Sequence, residues 1–395
     1  MQPASGVLRA QRAPDIEIAA HFPMSFPVTE YAPNLAQNLE GWFATSQRDL
    51  PWREIANARD GYRVLVSEVM LQQTTVAAVV PFYLRFLARF PDASSLARAE
   101  MDEVLPLWAG LGYYSRCRNL HAAAREIMQK HQGIFPQNFE EVLALPGVGR
   151  YTAGAVCSIA FNQKTPIVDA NVARVLARVL CLEGDVKSPK VQAQLWNGAT
   201  ELVNASTQPS NFNPSVMELG ALICVPKTPR CESCPISEFC GAFQTARQSE
   251  FPQFAPKKAH QQMHDVCVLF ADTNGVLLRQ RTEESSAKNW WKGMWELPRT
   301  SIQEGESPRS AIARLLNELN IQAEIGAHIK TLKHGVTTHA ITLDCHQISD
   351  AEFEDSAAQI FEWDETRKLA IPSTMRQLLD WYYSHRVVNE QLALL

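Results

Sequence analysis

The hydrophobic period changes once along the 395 residues, and that change limits the chain to two differently built domains. From Leu35 to about Ala246 apolar residues recur at helical spacing, as in Val142, Leu143 and Leu145, or Val172, Val175, Leu176 and Val179. This part reads as an all-helical domain over residues 31–247. A polar stretch carrying Pro252 and Pro256 then interrupts the pattern and reads as a linker over 248–262. Beyond it, short β runs appear at Val266–Ala271 and Val276–Arg281, separated by the hairpin signal Thr273-Asn274-Gly275. An amphipathic helix at Ser307–Leu319 and strands at Glu324–Lys333, His339–His346 and Gln359–Trp363 complete an α+β domain over 263–395. Residues 1–30 read as an unstructured extension. Arg9 and Arg12 suggest a transit peptide only weakly, because Asp15 and Glu17 follow at once.

At 46% hydrophobic and 20% charged residues the composition is that of a globular protein. No apolar run approaches the roughly 20 residues that span a bilayer, so the expectation is a soluble, intracellular, cytoplasmic protein without membrane contact. The net charge of −5 argues against a generally basic nucleic-acid coat. Residues 31–250 are nevertheless balanced while the last third is acidic, which assigns any nucleic-acid surface to the helical part.

Four of the nine cysteines follow the spacing Cys-x6-Cys-x2-Cys-x5-Cys at Cys224, Cys231, Cys234 and Cys240, with Pro226, Pro229 and Pro235 between and beside them. Four clustered thiolates in a reducing compartment indicate one metal centre rather than disulfides. Thiolate softness admits both zinc and an iron–sulfur cluster. Lys227 and Arg230 lie between the ligands and fit a basic loop against phosphate.

Leu145-Pro146-Gly147-Val148-Gly149-Arg150 joins a helix ending near Ala144 to one beginning near Arg150. Gly147 and Gly149 permit a tight turn that brings bare backbone N–H groups at a helix N-terminus close to a phosphate. Asp169 lies twenty residues beyond Gly149, before the helix Val172–Leu180, where it suits an N-cap. At a helix mouth its carboxylate is expected to stay anionic with a low pKa. Glu68, within Val64-Leu65-Val66-Ser67-Glu68-Val69-Met70-Leu71, has almost only apolar neighbours. Burial there is expected to raise its pKa and make it a proton donor. A protonated and an ionised carboxyl together suit glycosidic cleavage through a cation-like state.

The hairpin, Asp169 and the cysteine quartet together resemble the helix-hairpin-helix, Gly/Pro/Asp superfamily of DNA glycosylases over residues 35–245. Within it, Ser67-Glu68-Val69-Met70-Leu71-Gln72-Gln73-Thr74 and Leu107-Trp108-Ala109-Gly110-Leu111-Gly112-Tyr113-Tyr114-Ser115-Arg116 resemble the MutY-type adenine DNA glycosylases. The resemblance implies a helix-hairpin-helix over about 138–161 and a 4Fe-4S loop at 224–240. It implies removal of adenine mispaired with 8-oxoguanine or guanine in double-stranded DNA, initiating base excision repair. Glu68 would protonate adenine N7, and Asp169 would stabilise or capture the sugar cation. Gln73, with Gln72 beside it, and Tyr113 would wedge into the base stack. Trp52 and Arg53 match a further active-site strip, although about three extra residues separate them from Glu68. Relatives that also nick the strand carry a lysine where this chain has Tyr151, so a monofunctional enzyme is implied, with Tyr151 and Asn171 beside Asp169. A monomer is expected, with repair or replication proteins as further partners.

Trp290-Trp291-Lys292-Gly293-Met294-Trp295-Glu296-Leu297-Pro298 resembles a Nudix-type domain. Its helix keeps only Glu318 of the glutamates that hold magnesium in working hydrolases, so the expectation is a lesion-inspecting domain without its own chemistry. Relatives inspect 8-oxoguanine with a Phe-Ser-His loop. The nearest stretch here is His334-Gly335-Val336-Thr337-Thr338-His339, which aligns either as Val336, Thr337 and Thr338 or with His339 as the histidine. Three rivals share some of these features: a glycosylase-lyase for oxidised pyrimidines, a non-catalytic cluster-bearing DNA binder, and a nucleotide pyrophosphohydrolase. Tyr151, the two carboxylates and the depleted glutamate set count against them in turn.

Overall fold

Ala32, Leu35, Ala36, Leu39 and Phe43 recur on one face and all five are buried, so the first helix, α1 (Val28–Ser46), carries a single apolar stripe. The protein is described by a computed structural model covering residues 28–54, 59–256, 260–272, 275–281, 290–291, 293–336, 338–353 and 358–392. The expected extension 1–30 therefore falls mostly outside the described residues, and helix already begins at Val28.

Along the helical part follow α2 (Gly61–Leu71), α3 (Val76–Arg89), α4 (Ala93–Arg98), α5 (Met101–Trp108), α6 (Ser115–Lys130), α7 (Phe139–Leu143), α8 (Arg150–Phe161), α9 (Ala170–Val179), α10 (Pro189–Ala205), α11 (Pro209–Leu222) and α12 (Gly241–Gln244). Contacts divide the chain into two compact units, one formed by α1 with residues 166–254 and the other by residues 48–165 with 255–395. In the first, α1 packs on α10 and α11. Glu40 reaches from α1 to accept the backbone N–H groups of Thr207 (3.1 Å) and Gln208 (3.0 Å), donors that the start of α11 leaves without an intrahelical partner.

The second unit has an aromatic-rich helical core that includes Tyr62, Met70, Tyr83, Phe86, Phe90, Trp108 and Ile127. Its C-terminal part contains β1 (Gln261–Leu269), β2 (Val276–Gln280), β3 (Trp295–Glu296), β4 (Arg299–Ser301), α13 (Pro308–Glu318), β5 (Ile321–Val336), β6 (His339–Phe353), β7 (Ala358–Phe361), α14 (Trp363–Thr366) and α15 (Ser373–Leu392). One sheet runs β4-β1-β6-β5, with β1 and β6 parallel, and a second runs β3-β2-β7. Side chains alternate across β1, so Val266 and Val268 pack with Ile312 and Leu315 of α13 while Cys267 and Leu269 pack with Met375 and Leu378 of α15. The β sheets thus lie between two helices, an α+β domain after an all-helical part.

Two expectations change. The runs around Thr273-Asn274-Gly275 meet in a short hairpin tip, with the antiparallel bridge Ala271↔Val276, Asp272 N–H donating to Gly275 O and Leu277 N–H to Phe270 O (both 3.0 Å), but the ladder does not extend, because β1 and β2 enter different sheets. Thr273 and Asn274 lie outside the described residues. Nor is 248–262 a free linker throughout. Phe251 is buried, Val186 N–H donates to Gln253 O (2.9 Å), and β1 already begins at Gln261. Prolines remove backbone donors without preventing a segment from being packed by acceptors and side chains.

Candidate active site

Helix α2 begins at the N-cap Asp60, whose carboxylate accepts from the N–H groups of Tyr62 and Arg63. Two turns later this helix carries Glu68 on a buried face, with only 5% of the residue exposed. Tyr151, in the first turn of α8, donates its hydroxyl to Glu68 Oε2 at 2.7 Å. A turn beyond Glu68, Gln72 Nε2 donates to Thr152 Oγ1 at 3.3 Å. The C-terminal half of α2 and the N-terminus of α8 are thus joined by two side-chain hydrogen bonds, and the carboxyl stands at that junction. Tyr151, which the resemblance sets beside Asp169, is thus hydrogen-bonded to Glu68.

The turn before α8 lies where the sequence places it, between α7, capped at Ala144, and α8, capped at Gly149. The two glycines differ in use. Gly147 has φ +75°, and a Cβ there would lie 2.4 Å from Asn119 Cβ, so both backbone shape and space require glycine. Gly149 is extended (φ −99°, ψ 173°) and has open space over it. Its missing side chain keeps that space open at the N-terminus of α8.

In the other unit, Asp169 caps α9, with Oδ1 accepting from Val172 N–H at 2.7 Å. Asn171 Nδ2 donates to its Oδ2 at 3.2 Å, and Arg174 Nη2 donates to Asn171 Oδ1 at 2.8 Å. The expected low pKa is not found. Burial pushes the carboxyl above its ordinary value, and the N–H donors and Arg174 offset only part of that rise. A helix mouth stabilises an anion less than removal from water penalises it. Arg174 continues inward, donating from Nε to Cys224 O (2.7 Å) and from Nη2 to Gly220 O (2.7 Å). One path of hydrogen bonds therefore runs from Asp169 through Asn171 and Arg174 to the backbone of the first quartet cysteine. Glu218, 1% exposed on α11, is a further buried acid in this unit that sequence reasoning did not single out.

Cys224, Cys231, Cys234 and Cys240 line a single cavity together with Arg178, Ile223 and Phe243. Arg178 is almost wholly buried. It donates to Cys224 Sγ (3.3 Å) and to the carbonyls of Val225 (2.8 Å), Pro226 (2.9 Å), Gln248 (3.1 Å) and Phe251 (3.0 Å). Burial and the neighbouring sulfurs raise the Cys231 thiol and push Cys234 up to about 11 and Cys240 up to about 12. Thiols raised in this way become thiolates beside added positive charge, which is the donor chemistry of a thiolate-bound metal centre. Among the described residues no group of three or more His, Cys, Asp or Glu is arranged to hold a metal ion. Arg230 turns back to donate to Leu222 O at the end of α11, while Lys227 stays exposed.

The remaining expected residues divide by exposure. Trp52 is buried edge-on against Tyr83 (5.5 Å), and Arg53 donates to Arg48 O (3.1 Å). Gln73 (φ 55°) and Tyr113 (φ 47°) both hold left-handed backbone, and Tyr113 is 55% exposed. At the β5–β6 hairpin, Val336 pairs with His339, Thr338 is exposed, and Thr337 lies outside the described residues. The His339 ring packs inward on Trp290 (5.0 Å). On α13, Arg314 binds both Glu306 (2.9 Å) and Glu318 (3.2 Å), so these glutamates face a guanidinium.

A family model described as "HhH-GPD superfamily base excision DNA repair protein" matches residues 66–201, and one described as "NUDIX domain" matches residues 265–381. The adenine DNA glycosylase of Mus musculus is 32% identical, over 88% of this chain and 78% of its own length. That of Buchnera aphidicola (subsp. Acyrthosiphon pisum, strain APS) is 35% identical over 68% of this chain and 75% of its own. The Homo sapiens protein is 47% identical over 54% of this chain and 40% of its own.

Proposed function

Since the chain belongs to the adenine DNA glycosylases, we propose that it hydrolyses the N-glycosidic bond of adenine mispaired with 8-oxoguanine or guanine in duplex DNA, using Glu68 as acid and Asp169 as anion. The observation that carries the reading is the buried Glu68 carboxyl with Tyr151 Oη at 2.7 Å. Glu68 gives its proton to adenine N7, the C1′–N9 bond breaks with its electron pair leaving on the base, and positive charge develops on the deoxyribose. Asp169, fixed by the α9 cap and Asn171, balances that charge. Water adds its oxygen to C1′ and its released proton restores the Glu68 carboxyl, leaving free adenine and an abasic site. Tyr151 stands where strand-nicking relatives carry lysine and offers no amine for a Schiff base, so hydrolysis without strand cleavage is the expected outcome.

Cys224, Cys231, Cys234 and Cys240 would hold a 4Fe-4S cluster. The reading is supported by the four cysteines lining one cavity and by the family's use of this ligand spacing for an iron–sulfur cluster. When bound, such a cluster supplies positive charge and a covalent tie that shape the loop carrying Lys227. In the Nudix-like domain, exposed Thr338 at the β5–β6 hairpin is the group offered to the 8-oxoguanine strand, while His339 serves the packing on Trp290.

Single-turnover assays on duplexes with adenine opposite 8-oxoguanine, guanine or thymine test the reading. Release is expected from the first two and not from the third. Absence of release from the first would defeat it. Efficient borohydride trapping of a covalent adduct would defeat the monofunctional part alone.

A further inference from the structure

Arg116, near the start of α6, is charged yet only 8% exposed. Its Nη1 donates to Val69 O (2.7 Å), Met70 O (3.0 Å) and Gln72 O, which are carbonyls at and just beyond the C-terminal turn of α2. Its Nη2 donates to Leu111 O (3.2 Å) and Gly112 O (3.2 Å), in the loop between α5 and α6, with Thr74 Oγ1 at 3.4 Å. Burial lowers its pKa to about 10, which leaves it a cation at neutral pH. One guanidinium thus ties two loops together.

Each loop carries one left-handed, non-glycine residue next to a carbonyl that Arg116 holds. Gln73 (φ 55°) follows Gln72, and Tyr113 (φ 47°) follows Gly112. Such backbone costs about 1–3 kcal/mol for each residue and persists only where the surroundings enforce it. The Tyr113 ring is exposed, and the Arg116 guanidinium carbon lies 5.5 Å from its centre. An exposed aromatic on an enforced backbone is suited to insertion between bases.

We propose that Arg116 is a positioning residue that holds Gln73 and Tyr113 at a fixed spacing as one preformed wedge for expelling the paired adenine nucleotide. The inference rests on the adenine glycosylase reading and adds the device that sets its wedge. The planar fork is essential, because a lysine ammonium cannot address two sets of carbonyls at once.

The test compares Arg116→Lys with the unaltered enzyme in single-turnover reactions on adenine paired opposite guanine and on adenine opposite an abasic site, where no base pair has to be broken. The expected result is a loss of at least about tenfold on the paired substrate, with the unpaired substrate within about threefold of the unaltered rate. In a double-mutant cycle with Tyr113→Ala, the paired-substrate losses are expected not to add, because both act through the same wedge. Thr74→Val, which takes one acceptor from the guanidinium and leaves the arginine in place, should move the paired-to-unpaired ratio the same way by about twofold. Equal losses on both substrates, additive losses in the cycle, failure of Arg116→Lys to fold, or an unchanged ratio in Thr74→Val would each overturn the proposal. If the unaltered enzyme released adenine from neither duplex, the glycosylase reading would fail instead.

Discussion

Replacing Asp169 by asparagine separates its two duties, as helix cap and as anion. The amide keeps an oxygen where Oδ1 accepts from Val172 N–H at 2.7 Å, and asparagine caps helices as well as aspartate does. The second oxygen becomes an NH2 facing Asn171 Nδ2, which removes one hydrogen bond worth about 1 kcal/mol. Against that loss stands relief from a buried charge, since the Asp169 pKa is raised in the folded chain. Between the unfolded value of 3.8 and the raised folded value, the folded state binds more protons than the unfolded one. The contribution of Asp169 to stability therefore falls as pH rises through that window and stays low above it. Stability of Asp169→Asn is expected within about 1 kcal/mol of the unaltered protein at pH 7.5, or some 2–4 °C in melting temperature. Its melting temperature relative to the unaltered protein should climb from pH 4 to pH 7. Asp169→Ala loses both the cap and the Asn171 contact, and should be less stable by roughly 2 kcal/mol. Both variants are expected to bind mismatched duplex and to lose on the order of 10²–10³ in single-turnover adenine release. Thermal melts across pH, a binding titration and the release assay measure the three effects. An asparagine variant that cleaves within tenfold of the unaltered enzyme, or that gains on it as pH falls, would contradict this assignment.

Tyr151→Phe removes the hydroxyl donor to Glu68 Oε2 and should slow adenine release about tenfold or more while duplex affinity stays within about threefold, as single-turnover rates and binding curves would show. Gly147→Ala meets both a φ of +75° and Asn119 at 2.4 Å, so a loss of about 1–3 kcal/mol in stability is expected by denaturant titration, with weaker duplex binding. Metal analysis of the purified protein should find about four irons per chain with broad visible absorbance. Stoichiometric zinc without that absorbance would refute the cluster. Arg174→Met leaves Cys224 O, Gly220 O and Asn171 without their shared donor and should cost about 2–4 kcal/mol in the thermal melt, together with adenine release.

The helical period located α8 and α9 to within two residues, because glycine and aspartate at their N-termini act through local backbone chemistry. Glu68 was legible because apolar neighbours within one helix announce burial. The arginines were not. Arg116, Arg174 and Arg178 carry the formal signature of surface residues, and most of their acceptors lie 42–73 positions away, where no local pattern announces them. Arg174 and Arg178, four apart on one helix and directly after the Asp169 cap, were the available signal. The pKa of Asp169 was misread for the same reason: its helix terminus is local, and the matter that buries it is not. In the β part, the register of β5 with β6 follows from alternation and a short turn, whereas the division of β1 and β2 between two sheets depends on partners far along the chain.

The packing of α1 on α10 and α11 has a consequence for synthesis. Glu40 and Thr207, which hydrogen-bond in the folded chain, are 167 positions apart. At the usual translation rate of about 5–20 residues per second, α1 leaves the ribosome roughly ten to thirty seconds before its partners exist. Throughout that interval the stripe Ala32, Leu35, Ala36, Leu39 and Phe43 has none of its native cover. The surface that later closes this unit is thus, in the nascent chain, a stretch open to a chaperone, and closure of the whole unit must wait for the last helices to emerge.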